Sequence, residues 1–226
     1  MLVKKPEPHG ILNKTQMEFL TRFNQLPDSS AFYLTGGTAL AEFYLGHRLS
    51  YDLDLFTTVA GLIRPFCLFM ESAMEQQGFS LRAVRRMESF TEYEVALGHD
   101  TLRIHLAYDS PFRFAEPAPT PFGLVNDFQD IVVDKLLAFF GRAEPRDAVD
   151  LYFILQDVDF WELADMASQK DTGFDLYWMA SALMKVTTFP DEAERWPVQM
   201  LRPFEPTALK REFTEFSQQI LSRIRR

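Results

Sequence analysis

The chain of 226 residues holds one cysteine, Cys67, so it cannot form an internal disulfide. No apolar run approaches the roughly 18 to 20 residues needed to cross a bilayer. The opening MLVKKPEPHG lacks the apolar stretch of a secretory signal. These absences exclude a disulfide scaffold and a helical membrane span, and lead us to expect a protein of the reducing cytoplasm. Internal repeats and low-complexity tracts are absent too. His9, His47 and His99 have no cysteine or carboxylate at zinc-ligand spacing, which removes a zinc ribbon. Bases are scarce: 23 Lys and Arg against 32 Asp and Glu give a net charge of −9. Long nonspecific tracking of a nucleic-acid backbone is disfavoured, although local basic patches remain possible. The deficit is uneven. Glu144 to Asp175 carries nine acids and two bases, whereas Leu201 to Arg226 carries six bases and three acids.

What the chain does have is apolar mass. Hydrophobic residues make up 47% of it, with 22 phenylalanines, enough for a sizeable core. Asn13 to Gln25 reads as an amphipathic helix with Met17, Leu20 and Phe23 on one face and Phe19 beside them. Phe32 to Leu34 reads as a short buried strand, Thr38 to Leu45 as a helix closed by Gly46, and Tyr51 to Phe56 as a strand. Pro65 to Gln77 is a helix ending at Gly78. Three strands follow, at Phe79 to Met87, Thr91 to Leu97 and Thr101 to Tyr108, the last two joined through Gly98-His99-Asp100. Pro111 to Pro121 reads as a loop and marks the boundary between a sheet half and a helical half. Beyond it, helices are expected over Phe128 to Phe140, Arg146 to Gln156, Phe160 to Ser168, Phe174 to Met184 and Pro206 to Ile224. The expected fold class is α+β: a small mixed sheet flanked by helices over 1–120, then a helical region over 121–226 that completes the cleft of the site.

The chemistry concentrates in FYLTGGTALAEFYLGHRLSYDLDLF, Phe32 to Phe56. Gly36 and Gly37 let a backbone approach a ligand, and the helix that follows offers unpaired N–H groups and a positive dipole end. Thr38 adds a hydroxyl. Such a turn suits a triphosphate, but a Gly-Gly between strand and helix, taken alone, is more often a tight turn with no ligand. Asp52 and Asp54, two apart on a strand, share a face while Leu53 and Leu55 point to the core. Adjacent carboxylates repel unless a cation compensates, and Mg²⁺ takes oxygen ligands together with substrate phosphates. The competing reading is a solvated strand face. Arg82, Arg85 and Arg86 make a short basic cluster that suits either contact with an acceptor's phosphates or protection of an edge strand.

The segment GGTALAEFYLGHRLSYDLDLF resembles the first motif of the AbiEii/AbiGii toxin family, nucleotidyltransferases of the DNA polymerase beta-like superfamily. Asp134 to Ile154, DKLLAFFGRAEPRDAVDLYFI, resembles the family's later motif through Lys135, Ala138, Arg142, Arg146, Asp147 and Asp150-Leu151-Tyr152. The likeness in layout covers roughly residues 15 to 155. It implies Mg²⁺- or Mn²⁺-dependent transfer of a nucleoside monophosphate from an NTP to an RNA (a tRNA 3′ end, for instance) or protein hydroxyl. It also implies a toxin role beside a separately encoded antitoxin or operon partner. Position by position, Gly36, Gly37 and Thr38 resemble the triphosphate turn, and Asp52 and Asp54 the metal-binding pair. Arg48 and Ser50 resemble an R-x-S lead-in that touches phosphate or only fixes the start of the strand. Lys135 resembles the motif lysine that neutralises phosphate charge or acts as an acid toward the leaving pyrophosphate, and Asp147 and Asp150 the later acids. Each has a plainer alternative: Lys135 as a surface lysine, Arg142 as a complement to a helix dipole, and Arg146 paired with Asp150 four residues on.

One position departs from the superfamily pattern. His105 stands where a third carboxylate is expected, on the strand Leu102 to Ala107. Asp109 or Glu94 are candidates to replace it. Histidine can accept the nucleophile's proton in place of a carboxylate but is a poor Mg²⁺ ligand, so three readings stay open: an enzyme with altered metal use, an enzyme with a different acceptor, and a silent module that binds a nucleotide or partner without transfer.

Overall fold

The computed structural model describes residues 2–225, which divide into two compact units. The first comprises Val3–Gly46 and Ser50–Phe128 and holds the whole sheet. Its first helix, α1 (Lys14–Phe23), begins at a capping box: Asn13 accepts from the Gln16 N–H, and Gln16 accepts from the Asn13 N–H. Phe19, Leu20 and Phe23 are buried, whereas Met17, expected on that face, is exposed. Phe19 takes its place against Phe79, with ring centroids 5.8 Å apart.

Strand β1 (Tyr33–Thr35) runs into α2 (Gly36–Leu40), which widens over Ala41–Leu45 and stops where Gly46 turns left-handed at φ +59°. The widened turn carries Glu42, a fully buried acid that the sequence reading did not single out. Its carboxylate accepts from the N–H groups of Gly10, Ile11 and Leu12, which fastens the amino-terminal segment. Then come β2 (Leu53–Thr57) and α3 (Ile63–Glu75). After them lie β3 (Ser80–Arg86), β4 (Phe90–Leu97) and β5 (Asp100–Tyr108). The expected loop Pro111 to Pro121 is corrected at its end: Ala118–Thr120 forms β6, paired with β7 (Gly123–Val125) through a turn at Gly123. Pro119 hid this strand, and it is tolerated because β6 is an edge.

The sheet order is β3-β4-β5-β2-β1-β7-β6, with β2 parallel to β5 and β1 parallel to β7. Alternation sends Leu53, Leu55, Tyr93, Val95, Leu102, Ile104 and Leu106 into the core. Helix α3 covers that face: the Tyr93 hydroxyl donates to its Glu71, and Phe66 packs against Phe23 and Phe32. Each such buried ring contributes about 2 to 3 kcal/mol by area.

The second unit comprises Leu2, His47–Leu49 and the chain from Gln129. Its helices are α4 (Phe128–Arg142), α5 (Pro145–Ile154), α6 (Phe160–Lys170), α7 (Leu176–Met184) and α8 (Pro206–Ile224). Asp159 and Asp175 cap α6 and α7. Phe139 meets Phe213 and Phe160 stacks on Phe216, joining α4 and α6 to α8. Among the described residues no helix is long and apolar enough to cross a membrane.

Candidate active site

In the sheet unit the expected residues gather where β1 ends and β2 begins. Thr35 lies opposite Asp54 in the β1–β2 register, and the chain leaves β1 through Gly36 at φ +70°, a region that favours glycine. A Cβ at position 36 would overlap the Asp54 carboxylate. The glycine is therefore what allows backbone and carboxylate to meet. The N-cap residue of α2, Thr35, makes no side-chain capping bond among the described residues. The Thr38 hydroxyl is buried and donates to the Asp52 carbonyl, with the Ser50 hydroxyl 2.9 Å away. Both hydroxyls tie the glycine turn to the start of β2. Leu53 and Leu55 are buried and Asp54 between them is partly exposed, in keeping with strand alternation; Asp52, expected on the strand, lies one residue before β2 and is partly exposed too.

His105 stands beside this pair. It is the register partner of Asp54 on β5, and its Nδ1 lies 2.8 Å from Asp54 Oδ1. The hydrogen bond with Asp54 pushes the imidazole pKa up, burial opposes it, and the charges of Asp54, Asp52 and Glu92 add to the rise. The two acids considered as replacements lie elsewhere. Asp109 accepts from the Tyr33 hydroxyl and the Ser110 N–H, and Glu94 pairs with Arg82. The acid in register with Asp54 and His105 is Glu92, opposite His105 on β4, which the sequence reading passed over. Only the register of β4 against β5 could have singled it out.

Asp52 and Asp54 supply the hard oxygen donors that Mg²⁺ or Mn²⁺ takes, and the bare Gly36 backbone leaves Asp54 its place. Among the described residues no three His, Cys, Asp or Glu side chains converge as a metal cage.

The helical unit holds the remaining candidates. Asp150 is fully buried. His47 Nε2 (2.8 Å) and Arg48 Nε (2.6 Å) reach its Oδ1, and Arg48 Nη2 (2.8 Å) and Lys135 Nζ (2.7 Å) reach its Oδ2. Burial alone would raise this carboxyl, but Arg48, Lys135 and His47 outweigh it and hold it well below the usual carboxylate range. Burial pushes His47 down, against the pull of Asp150. The neutral ring donates from Nε2, and its buried Nδ1 has no partner among the described residues. Lys135 is buried in this cluster, so the reading of it as a surface lysine is corrected. The pairing of Arg146 with Asp150 is corrected too: Asp150 is taken by Arg48 and Lys135, and Arg146 lies 3.7 Å from Glu144. Arg142 grips the buried Asp147 with two bonds, Nε at 2.6 Å and Nη2 at 2.7 Å. The motif's two basic residues on α4 thus each clamp one acid on α5.

Residues 18–109 match the family model "Nucleotidyl transferase AbiEii toxin, Type IV TA system". A protein of Aquifex aeolicus (strain VF5), uncharacterized protein aq_aa25, is 26% identical over 196 residues, 85% of this chain and 90% of that one. Among solved structures, JHP933 from Helicobacter pylori is similar at TM-score 0.57 and 19% identity, covering 96% of this chain and 94% of its own. MenT4, a nucleotidyltransferase toxin from Mycobacterium tuberculosis H37Rv, is similar at TM-score 0.55 and 17% identity, covering 90% and 82%. Over residues 18–109 the chain is similar to that nucleotidyltransferase toxin family, and its mixed-sheet fold is shared with these structures.

Proposed function

We propose that this AbiEii-type nucleotidyltransferase moves a nucleoside monophosphate from an NTP to a hydroxyl on an RNA acceptor, with Mg²⁺ or Mn²⁺, and serves as the toxin of a type IV toxin–antitoxin pair. A protein hydroxyl is the other acceptor consistent with the family. The observation that carries the reading is the meeting of Gly36 with the Asp54 carboxylate, which brings the turn into α2 against one acid of the proposed metal pair. The Gly36, Gly37 and Thr38 backbone receives the β- and γ-phosphates. Asp52 and Asp54 hold the metal, which when bound neutralises phosphate charge and polarises the reacting oxygens. The acceptor oxygen forms a bond to the α-phosphorus, and the bond from that phosphorus to the bridging oxygen breaks. Pyrophosphate departs with the electron pair, and the hydroxyl proton passes to water. Arg48 and Lys135 act by holding Asp150, and Arg142 by holding Asp147, so that α4 and α5 keep one alignment. Lys135 is also the motif lysine that the family reading assigns to charge neutralisation, with Arg146 nearby in sequence. The expected setting is a bacterial cytoplasm, with an antitoxin as partner.

A second reading is favoured by one observation. His105 occupies the third-acid position, already bonded to Asp54. This supports a module that binds nucleotide without transferring it. Incubating the protein with α-labelled NTPs, Mg²⁺ or Mn²⁺, total RNA and lysate separates the two. Transfer that falls at least about 100-fold in Asp52→Ala and Asp54→Ala, with folding retained, supports the enzyme. No label in any lane from folded protein sinks it. Gain of label in His105→Asp alone would establish the silent module.

A further inference from the structure

Over β3, β4 and β5 the sheet has one covered face and one open one. Tyr93, Ile104 and Leu106 lie on the face packed by α3, together with Arg86, whose Nη2 donates to Glu71 of that helix. The opposite face carries the carboxylate pair. Along it, register aligns Asp54 of β2, His105 of β5, Glu92 of β4 and Arg85 of β3 in a single row. Arg85 reaches this row because of an irregularity. Arg82 pairs with Glu94 and Ala83 with Tyr93, but Val84 is an extra residue and Arg85 pairs with Glu92. Without that bulge the two-residue period would turn Arg85 to the α3 side. The bulge thus sets Arg82 and Arg85, three apart, on the face of the acids.

That face is open and mixes cations with an aromatic ring. The side chains of Arg82 and Arg103 are 70% and 60% exposed, and Arg85 is exposed as well. Arg82 contacts Glu94, and Arg103 lies 3.6 Å from Glu92. Exposed pairs of this kind are held by under about 1 kcal/mol and open readily to a stronger anion. Arg85 has no ion-pair partner among the described residues. Beside the row, half-buried Phe90 lies 5.7 Å from the His105 ring at an interplanar angle of 34°. An aromatic on an open sheet face, with arginines around it, suits stacked bases and their phosphates.

We infer that this open face of β3, β4 and β5 seats a single-stranded RNA acceptor, with phosphates on Arg85 and Arg103 and a base stacked on Phe90 next to His105. The inference rests on the transferase reading and names its acceptor. A peptide is disfavoured at this edge, because the bulge and three arginines of β3 guard it against an added strand.

The test is fluorescence anisotropy of a 5′-labelled single-stranded RNA ending in a 3′-hydroxyl, with the full chain and four variants. Arg85→Glu is expected to weaken binding at least tenfold, and Arg85→Gln to make the slope of log K against log salt shallower by about one. Phe90→Ala is expected to cost fivefold or more. Arg86→Glu makes the same charge change one residue away on the covered face, and is expected to stay within twofold. The thermal shift given by NTP with Mn²⁺ is expected to be unchanged in all four, which also reports that they fold. Equal weakening by Arg85→Glu and Arg86→Glu, no weakening by either, or no RNA binding by the unsubstituted chain would overturn the inference. Label on a lysate protein with no affinity for RNA would overturn it while leaving the transferase standing. Loss of NTP binding together with absence of all transfer is the separate failure of the transferase reading.

Discussion

At the scale of single residues, the site turns on how little occupies position 36. Its φ of +70° and its contact with the Asp54 carboxylate leave room only for hydrogen. Gly36→Ala is expected to cost about 1 to 2 kcal/mol through its left-handed backbone alone. It is also expected to displace the Asp54 carboxylate and remove Mn²⁺–NTP binding. A urea melt and a calorimetric titration read the two effects separately; binding unchanged in the variant would contradict the placement of phosphate at this turn. Gly36, Gly37, Asp52 and Asp54 were legible in the sequence because their signals are local: a doublet before a helix, and a two-residue alternation. Glu42 was not. Its ligands lie some 30 residues earlier, and only the fold brings the N–H groups of Gly10, Ile11 and Leu12 to it. Glu42→Ala leaves those donors without their acceptor and is expected to cost about 2 to 3 kcal/mol, read from the shift in urea midpoint.

At the scale of elements, the later motif works as a clamp between helices. Lys135 and Arg142, seven apart on α4, grip Asp150 and Asp147, three apart on α5, and Arg48 closes on Asp150 from 102 residues away in sequence. The helices themselves were readable from spacing and from Pro145 at the first turn. The pairing was not, since four-residue spacing favoured Arg146 with Asp150 while tertiary packing brought stronger donors. Asp150→Asn removes the buried anion that three cationic or polar groups share, leaving Arg48 and Lys135 uncompensated. A loss of about 3 to 5 kcal/mol is expected from denaturant unfolding. Arg48→Lys should also destabilise, because an ammonium cannot reproduce the two-pronged contact. The bulge in β3 was illegible for the same reason as the clamp: an extra residue is defined only against the partner strand, and Val84 looks ordinary in the sequence.

At the scale of the molecule, the two units carry separate built-in reporters. All three tryptophans, Trp161, Trp178 and Trp196, lie in the helical unit, and the single cysteine, Cys67, lies in the sheet unit. Acid should reach the tryptophan signal through Asp150, which lies in the same unit. The Asp150 carboxyl is depressed in the folded state, so its contribution is full above the unfolded value, about 3.9, and drains away as pH falls below it toward the folded value. Comparing the chain with Asp150→Asn between pH 7 and pH 3, the difference in tryptophan-reported stability is expected to hold above about pH 5 and shrink below about pH 4. A difference that grows with acid would contradict the depressed carboxyl. Cys67 reports the other unit. It is buried, and burial pushes its thiol up, so alkylation requires the sheet unit to open. If NTP and metal bind at Gly36 and Asp54, they bind only the closed sheet unit. At 100 times the dissociation constant they should then slow Cys67 alkylation about 100-fold. The same addition to Asp52→Ala/Asp54→Ala should leave the alkylation rate as it was. Protection that survives the double substitution would place the nucleotide away from the carboxylates, and the chemistry assigned to them would have to move with it.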